Sequence, residues 1–383
     1  MNFCRRWHCR FICLILAFFG LFPPFVLPCM ADGNISLSAE SAILINAENG
    51  EVYFEKNADK MLPMASTTKI MTALVALEGS DLHDTVIIDR RAVGVEGSSV
   101  YLTDGELMTM EDLLYCLLLA SANDAAEAIA IEIGGSIEGF AALMNKKANE
   151  LGLKNTHFDN PHGLDSENHY TSAHDLALIA AYALHNPSFL KIVSTYKRNI
   201  QCEVGTRYLI NHNKLLRSYD GCIGVKTGFT KRSGRCLVSA AERNGMRLVA
   251  VTLNAPDDWN DHKRMLDHGF SSYQKLTLLG EGEYCVSLPI VGGKEQTILL
   301  QSRGSIEAIL PSGIGTDDCK TEISLPHFLY APIESGEIVG KVSCYLDGKL
   351  LGESDIIALY SVPQKTVKKS FLKRLSDFFK NIF

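Results

Sequence analysis

The 383-residue chain has no excess of basic residues: 37 Lys and Arg stand against 44 Asp and Glu, which gives a formal net charge of −7. Proteins that bind phosphate backbones need clustered basic surface, so nucleic acid is excluded as the main partner. The apolar run from about Phe11 to Phe22 is also too short to cross a bilayer comfortably.

The cysteines lack the spacing of a disulfide framework or a zinc site. Four of the 11, at positions 4, 9, 13 and 29, fall near the N-terminus, and no C-x-x-C pair occurs. An odd, scattered set in an exported chain favours small buried apolar residues over cross-links or metal ligands. The seven that remain are Cys116, Cys202, Cys222, Cys236, Cys285, Cys319 and Cys344.

The first 31 residues have the order of a secretory signal peptide. Arginines precede the apolar run, and helix breakers and the small residue Ala31 follow it. We expect residues 1–31 to be removed near Ala31 and the protein to be exported. An uncleaved anchor is the alternative, and a lipid on Cys29 is a weaker one, because Pro28 is not the small residue expected before it.

The chain after the leader alternates between strand-like and helical patterns. Asn49-Gly50 and Asn244-Gly245 each join two β-rich runs, which is the strongest short-range hairpin signal. Between them, apolar positions at three- and four-residue spacing predict helices. Strands at both ends with helices between indicate an α+β unit, residues 32–275, whose sheet is closed by distant segments. The predicted helices are 66–79, 111–134, 136–151 and 172–185.

The C-terminal third has two further patterns. Short β runs with another tight turn at Asp347-Gly348 predict a small all-β domain over 276–360. Residues 361–383 predict an amphipathic helix with a Phe- and Leu-rich stripe and a basic opposite face. Such a helix is typical of an anchor in the plane of the lipid headgroups. The alternative is a helix that docks on its own protein; a transmembrane span is excluded by length.

The segment "ASTTKIMTAL" reads as a helix start with Ser66 as N-cap, but Lys69 occupies the position where a capping box has Glu or Gln. A cation there opposes the helix dipole by roughly 0.3–1 kcal/mol. Residues three apart share a helix face, so the Lys69 amine can reach the Ser66 hydroxyl. A lysine with a lowered pKa could then act as a base for a serine nucleophile.

Two more polar patterns interrupt apolar sequence. Ser121-Ala-Asn123 lies within a strongly apolar stretch, and its polar groups need partners, although a helix cap would also explain them. Lys226-Thr227-Gly228 lies in a β run, where the glycine allows close approach of another backbone and Lys-Thr offers a cation and a hydroxyl to a carboxylate. Each pattern is weak by itself, and an ordinary structural role would explain it.

Together, in this order and about 55 and 105 residues apart, S-x-x-K, S-x-N and K-T-G form the motif set of penicillin-binding proteins and class A β-lactamases. The chain resembles the serine D-alanyl-D-alanine carboxypeptidases, low-molecular-mass penicillin-binding proteins of the peptidase S11 family. The resemblance covers nearly the whole chain. It implies a β-lactamase/transpeptidase-like domain, with a five-stranded antiparallel sheet and surrounding helices, then the small all-β domain and the amphipathic tail.

The resemblance also implies roles for the motif residues. Ser66 would attack the carbonyl between the terminal D-alanines of a peptidoglycan stem peptide, with Lys69 as general base. Ser121 would relay a proton to the leaving amine, and Asn123 would hold Lys69 and the substrate amide. The protein would work without a metal or cofactor at the outer face of the cytoplasmic membrane and be acylated by β-lactams.

The third motif would bind the substrate. Lys226 and Thr227 would hold the terminal carboxylate, and Gly228 would let the substrate lie along the strand edge as an added strand. The backbone N–H groups of Ser66 and Phe229 would form the oxyanion hole. Many relatives add an arginine after the last strand for the carboxylate. This chain has "NAPDDWNDHKRML" there, so His262, Lys263 or Arg264 would replace it.

Two alternatives share these motifs. A β-lactamase needs a device that activates water against the acyl group, in class A a glutamate in an E-x-x-L-N pattern. That pattern is absent here, and the closest glutamate, Glu150, lies in "ELGLK". A non-catalytic β-lactam-binding wall protein is the other alternative, although all motif residues are intact.

Overall fold

The computed structural model describes residues 35–202 and 205–366. The predicted signal peptide, and residues 367–383 of the predicted amphipathic helix, lie outside the described residues.

The first part of the described chain supplies nine strands, five of which form the central sheet. Two short hairpins, β3 with β4 and β5 with β6, lie apart from it. The strands are β1 (Ser41–Asn46), β2 (Val52–Lys56), β3 (Thr85–Ile87), β4 (Leu107–Thr109), β5 (Lys197–Cys202), β6 (Gly205–Ile210), β7 (Cys222–Thr230), β8 (Gly234–Arg243) and β9 (Met246–Leu253).

The central sheet has the order β2-β1-β9-β8-β7, and every pair in it is antiparallel. Both predicted hairpins are confirmed. Asn244 and Gly245 have φ values of 51° and 73°, the left-handed pair that a two-residue turn requires. The N-terminal β1 pairs with β9 near the end of this domain, so the sheet is closed by distant segments as predicted.

Helices pack on both faces of the sheet. A 3-10 turn, Ala65–Thr68, leads directly into the first helix. The helices are α1 (Lys69–Gly79), α2 (Met110–Leu119), α3 (Asn123–Gly134), α4 (Ile137–Glu150), α5 (Ala173–Leu184), α6 (Pro187–Ser194), α7 (Leu215–Ser218) and α8 (Asp258–Ser272).

The helix prediction was wrong at two places. The first helix begins at Lys69 rather than at 66. The predicted helix 111–134 is two helices, because Ser121 has a φ of 60°, which an α-helix cannot contain. The predictions for 136–151 and 172–185 are confirmed by α4 and α5.

Two cores hold this domain together. The larger core lies between one sheet face and helices α1 to α6, with Leu117, Ile129 and Val238 fully buried. The smaller core lies between the other face and α8, around Leu44 and Leu266. The sheet is thus covered on both sides, which leaves the open edge of β7 for a site.

The C-terminal part is all-β, in a six-stranded sheet of order β14-β16-β17-β12-β11-β15 and a β10–β13 pair. The strands are β10 (Tyr273–Leu279), β11 (Cys285–Val291), β12 (Thr297–Ser302), β13 (Ile306–Pro311), β14 (Lys320–Ser324), β15 (Leu329–Tyr330), β16 (Ile338–Leu346) and β17 (Lys349–Ala358).

This β structure extends beyond the predicted limits of 276 and 360. Strand β10 already begins at Tyr273. Val362 is fully buried and forms a bridge with Ile333, and the Lys365 N–H donates to the Gly292 carbonyl. Residues 361–365 therefore complete the β domain, where the sequence predicted the start of the amphipathic helix.

Within the described ranges, no single helix has the length and apolar character to cross a bilayer; only the bent pair of α5 and α6 meets both criteria together.

Candidate active site

Ser66 lies in the 3-10 turn that precedes α1. Ala65, just before it, has a φ of 46°, and the turn is held by Thr67 Oγ1 and Thr68 Oγ1, which donate to the carbonyls of Met64 and Ala65. The predicted N-cap role of Ser66 was wrong, because no side chain caps this turn or α1. The Ser66 hydroxyl instead lies 3.0 Å from Lys69 Nζ.

Lys69 is fully buried, and its amine has three polar neighbours. Besides Ser66 Oγ, Lys69 Nζ lies 2.6 Å from Asn123 Oδ1 and 2.7 Å from the His162 carbonyl oxygen. Burial lowers the pKa of Lys69 well below its usual value, and the nearby amine of Lys226 lowers it further.

This geometry suits a neutral amine. A neutral lysine has two protons and one lone pair. The Asn123 and His162 oxygens can accept only, so they take the two protons. The lone pair is then left for the Ser66 hydroxyl, which is the arrangement a general base needs.

Ser121 and Asn123 lie at the break between α2 and α3, and both are nearly fully buried. Ser121 Oγ accepts from Lys226 Nζ at 3.0 Å. Asn123 donates through Nδ2 to the Glu96 carbonyl at 2.6 Å, so its Oδ1 faces Lys69. The break between α2 and α3 therefore directs the Ser121 hydroxyl and the Asn123 amide into the site. Neither side chain caps α3.

Lys226 lies on the edge strand β7 and is also buried. Burial lowers the pKa of Lys226 to about 7. Its Nζ contacts Ser121 Oγ and the Thr227 carbonyl. A protonated Lys226 would present a positive charge beside a neutral Lys69, so the two amines can have different protonation states at one pH.

Gly228 brings β7 against the Ser66 turn. A Cβ added at Gly228 would lie 3.0 Å from Ser66 N and 3.1 Å from the Met64 carbonyl oxygen. The next residue, Phe229, leaves 66% of its side chain exposed at the strand edge. The structure therefore brings all eight predicted site residues together, with Ser66, Lys69, Ser121 and Asn123 on the helical side and residues 226–229 on the sheet.

The sequence did not identify the segment 160–164 as part of this site. The His162 carbonyl contacts Lys69, and Gly163, with a φ of 88°, passes so close that a Cβ would lie 1.9 Å from the Ala65 carbonyl oxygen. A glycine preceded by Asn160 and His162 was the only signal. His162 lies 3.3 Å from Glu127 and His169 lies 2.7 Å from Thr68 Oγ1, so both rings have structural partners.

A second unrecognised element is the loop that borders the site, residues 96–106. The Asp124 carboxylate accepts from the backbone N–H groups of Val100 and Leu102. Arg207 pairs with buried Glu106 and donates to the Val100 carbonyl. The Glu96 carbonyl that accepts from Asn123 therefore belongs to a loop that is held by the buried carboxylates of Asp124 and Glu106.

Of the residues suggested to replace the carboxylate-binding arginine, the structure excludes His262 and gives Arg264 no contact with the site residues. His262 is completely buried between the hydroxyls of Ser239 and Thr252, at 2.5 and 3.0 Å from its ring nitrogens. Arg264 binds Asp261 and the Ser36 carbonyl. His262 is therefore not free to meet a substrate, and for Lys263 and Arg264 the structure gives no contact with the site.

The described residues contain no group of three or more His, Cys, Asp or Glu side chains that could hold a metal ion. The seven described cysteines are unpaired, and three of them, Cys116, Cys236 and Cys344, are buried. Burial raises the pKa of Cys236 to about 11, which keeps its thiol protonated next to the site.

Comparison with known proteins identifies the family of the chain. Residues 29–257 match the peptidase S11 family, described as D-alanyl-D-alanine carboxypeptidase, and residues 273–364 match the C-terminal domain of penicillin-binding protein 5. The chain is 37% identical to D-alanyl-D-alanine carboxypeptidase DacF of Bacillus subtilis, over 89% of this chain and 90% of the relative. It is 31% identical to DacA of Escherichia coli, over 92% and 90%.

Solved structures of related proteins have the same fold. Penicillin-binding protein 5 from Haemophilus influenzae superposes with a TM-score of 0.66 at 28% identity, over 86% of this chain and 99% of that one. The Streptomyces K15 DD-transpeptidase gives 0.59 at 33% identity, over 62% and 98%. The predicted transpeptidase-like fold followed by an all-β domain is thus confirmed. The chain belongs to the peptidase S11 family of serine-type D-alanyl-D-alanine carboxypeptidases.

Proposed function

We propose that Ser66 is the nucleophile with which this protein removes the terminal D-alanine from peptidoglycan stem pentapeptides. The observation that carries the proposal is the short contact between Ser66 Oγ and the buried amine of Lys69. Burial keeps that amine neutral at a lower pH than an exposed lysine, so it can take the serine's proton.

In the first half of the reaction, the Ser66 proton passes to Lys69 Nζ and Oγ bonds to the carbonyl carbon between the two D-alanines. The N–H groups of Ser66 and Phe229 stabilise the negative charge that forms on the carbonyl oxygen. When the C–N bond breaks, the proton that Lys69 took from Ser66 passes through the Ser121 hydroxyl to the leaving nitrogen, which returns Lys69 to its neutral form. Ser121 Oγ is also hydrogen-bonded to Lys226. D-Alanine leaves and an ester on Ser66 remains.

In the second half, neutral Lys69 takes a proton from water, and the hydroxide attacks the ester carbonyl. The shortened peptide leaves as a carboxylic acid, and the proton returns to Ser66 Oγ. The sum is one water consumed for each D-alanine released, with no cofactor. Asn123 keeps Lys69 in place in both halves through its 2.6 Å contact.

Substrate recognition would follow from the open edge of β7. The peptide would pair with this edge antiparallel, with its terminal carboxylate near Lys226 and Thr227 and its upstream residues toward Thr230. Gly228 supports this placement, because any larger residue would press on the Ser66 turn.

We further propose that the ester formed between Ser66 and a β-lactam is hydrolysed slowly. A β-lactamase would hydrolyse it rapidly. Two carboxylates on α3 are already engaged: Asp124 with the backbone of the 96–106 loop, and Glu127 with His162 at 3.3 Å. The E-x-x-L-N pattern that supplies the deacylating glutamate in class A enzymes is also absent.

Export and membrane attachment are part of the same proposal. The leader would carry the chain across the membrane, and the basic amphipathic segment that follows residue 366 would then hold it at the outer face of the cytoplasmic membrane. There it would meet stem peptides and β-lactams.

The test is intact-mass analysis with peptide mapping after treatment with benzylpenicillin. We expect one stable adduct on the peptide that contains Ser66, and none in Ser66→Ala. The same variant should lose release of D-alanine from diacetyl-Lys-D-Ala-D-Ala. Rapid turnover of penicillin would favour the β-lactamase alternative. Unchanged D-alanine release by Ser66→Ala would overturn the proposed nucleophile.

A further inference from the structure

The substrate's terminal carboxylate needs a cation that stays charged, and Lys226 alone meets this need only in part, because burial lowers its pKa to about 7. After the last strand of the sheet, His262 is buried between two hydroxyls, and the contacts of Arg264 are with Asp261 and the Ser36 carbonyl rather than with the site. A different basic residue beside β7 is therefore needed, and the pairing of β7 with β8 identifies one.

Arg235 on β8 lies directly opposite Phe229 on β7 and diagonally from Thr227. Diagonal neighbours have Cβ atoms about 7–8 Å apart, which is within reach of a long side chain. Side chains alternate between the two faces of a sheet. Cys236, which contacts the Pro63 carbonyl, faces the Ser66 side, so Arg235 and Thr227 share the opposite face.

That face is accessible to the proposed substrate. Lys226 and Thr227 are adjacent and point to opposite faces of β7. A carboxylate that contacts both must therefore lie at the open edge of the strand, since β7 is the last strand of its sheet. Arg235 can approach this edge along the face of the sheet that also carries Thr227 and Phe229.

The Arg235 guanidinium is held in place but keeps hydrogen-bond donors for a substrate. Its Nε donates to Asp258 Oδ1 at 2.9 Å, and its central carbon lies 5.8 Å from the centre of the Trp259 ring. The Asp258 carboxylate is buried, with 3% of its side chain exposed, whereas 42% of Arg235 is exposed. Among the residues that the structure describes, no acceptor binds the two terminal nitrogens of Arg235.

The direction of the side chain fits the same site. The Trp259 ring also has Lys214 Nζ at 5.9 Å. Lys214 immediately precedes α7, which packs on β7. The ring thus has one cation from β8 and one from the residue before α7 beside it, and the free end of the arginine presents its two terminal nitrogens in the fork that matches a carboxylate.

We propose that Arg235 binds the terminal carboxylate of the substrate through its two terminal nitrogens, with Asp258 and Trp259 as positioning residues. This assignment rests on the proposed function. It makes Arg235 a determinant of specificity for peptides that end in a free acid, in place of the arginine that many relatives carry after the last strand.

The test compares two peptides, diacetyl-Lys-D-Ala-D-Ala and the same peptide with a C-terminal amide, cleaved by the full chain and by Arg235→Gln. We expect kcat/KM for the acid to fall about 10- to 100-fold, mainly through KM, the size expected for a charge-assisted pair. The amide, which has no charge to lose, should be cleaved at nearly the same low rate by both proteins. Arg235→Lys should recover part of the loss for the acid only.

Arg264→Gln is the matched control, since Arg264 is also paired with an aspartate of α8 but has its other contact with the Ser36 carbonyl. It should leave both peptides unaffected. An equal loss for acid and amide in Arg235→Gln would show that Arg235 only braces β8 against α8, and no loss for either would overturn the proposal. Absence of a Ser66 adduct with benzylpenicillin in the wild-type chain would instead contradict the proposed function itself.

Discussion

Lys226 Nζ lies 3.0 Å from Ser121 Oγ, although 105 positions separate the two residues in the chain. One residue belongs to the sheet edge and the other to a break between two helices. Their contact joins the carboxylate-binding side of the proposed site to the side that carries the nucleophile. The protonation state of Lys226 should therefore affect substrate binding and proton transfer together.

The pH profile is the first prediction. Lys69 must be neutral to act as a base, and burial lowers its pKa, so kcat/KM should rise with pH over a range below the usual lysine value of about 10.4. Lys226 must be protonated to attract the carboxylate, and burial lowers its pKa to about 7 in the free protein. Activity should therefore fall again on the alkaline side, also below the ordinary lysine range.

Initial rates with the acid and amide peptides across pH would separate the two limbs. The acid limb belongs to Lys69 and should be common to both substrates. The alkaline limb belongs mainly to carboxylate binding and should be smaller for the amide, which keeps only the effect of Lys226 on proton transfer through Ser121. An alkaline limb of equal size for both peptides would contradict the assigned role of Lys226.

The close approach of Gly163 to the Ser66 turn gives a second prediction. In Gly163→Ala, the new Cβ would lie 1.9 Å from the Ala65 carbonyl oxygen and 2.8 Å from Thr68 Oγ1, at a φ of 88°. We expect the free energy of unfolding to fall by more than about 2 kcal/mol. Acylation by benzylpenicillin should slow as well, because the segment also supplies the His162 carbonyl to Lys69.

Gly152→Ala is the control for backbone strain alone. Gly152 has a φ of 71°, but nothing lies within 4 Å of the added Cβ. Gly152→Ala should lower the free energy of unfolding by about 1–2 kcal/mol and leave acylation by benzylpenicillin normal. Denaturant unfolding and the rate of adduct formation would measure both variants, and equal behaviour of the two would rule out a role for the Gly163 contact.

The third prediction concerns the C-terminal segment. Because Val362 is buried in the β domain and paired with Ile333, a truncation that keeps the fold must follow Thr366, not Tyr360. The protein ending at Thr366 should stay with the supernatant when mixed with anionic lipid vesicles, whereas the mature full chain should sediment. Release of D-alanine should be the same for both.

A truncation after Tyr360 should lower the melting temperature, since it removes a fully buried valine. If the shorter protein ending at Thr366 lost activity without any change in sedimentation, the segment would dock on its own protein rather than on lipid.

Much of the fold could be predicted from local signals. Asn244-Gly245 marks a hairpin because the left-handed backbone of a two-residue turn strongly favours these residues, and Gly50 in the first hairpin likewise has a φ of 72°. Ser66 and Lys69 could be identified because they lie only three positions apart in the sequence. The break at Ser121 could not be predicted, since the apolar spacing continues through it and only tertiary contacts with Lys226 and the loop near Ser98 explain the change of direction.

Long-range contacts account for the other failures. The His162 carbonyl is a backbone group, so no side-chain pattern could indicate its contact with Lys69. His262 was chosen for its position in the sequence, but the helical period places it on the buried face of α8. Arg235 was missed because its significance depends on the register of β8 against β7, which the sequence does not state.

The pairing of β1 with β9 affects when the site can exist at all. Ser41 lies opposite Leu253, so the central sheet cannot close until the chain has been made almost to the end of the first domain. Ser66 and Lys69 emerge early, but Lys226 and the strand that carries it come much later. A nascent or partly translocated chain would therefore have its serine without the opposing wall of the cleft. Such a chain should be insensitive to penicillin until folding is complete, so antibiotic labelling would report the folded enzyme alone.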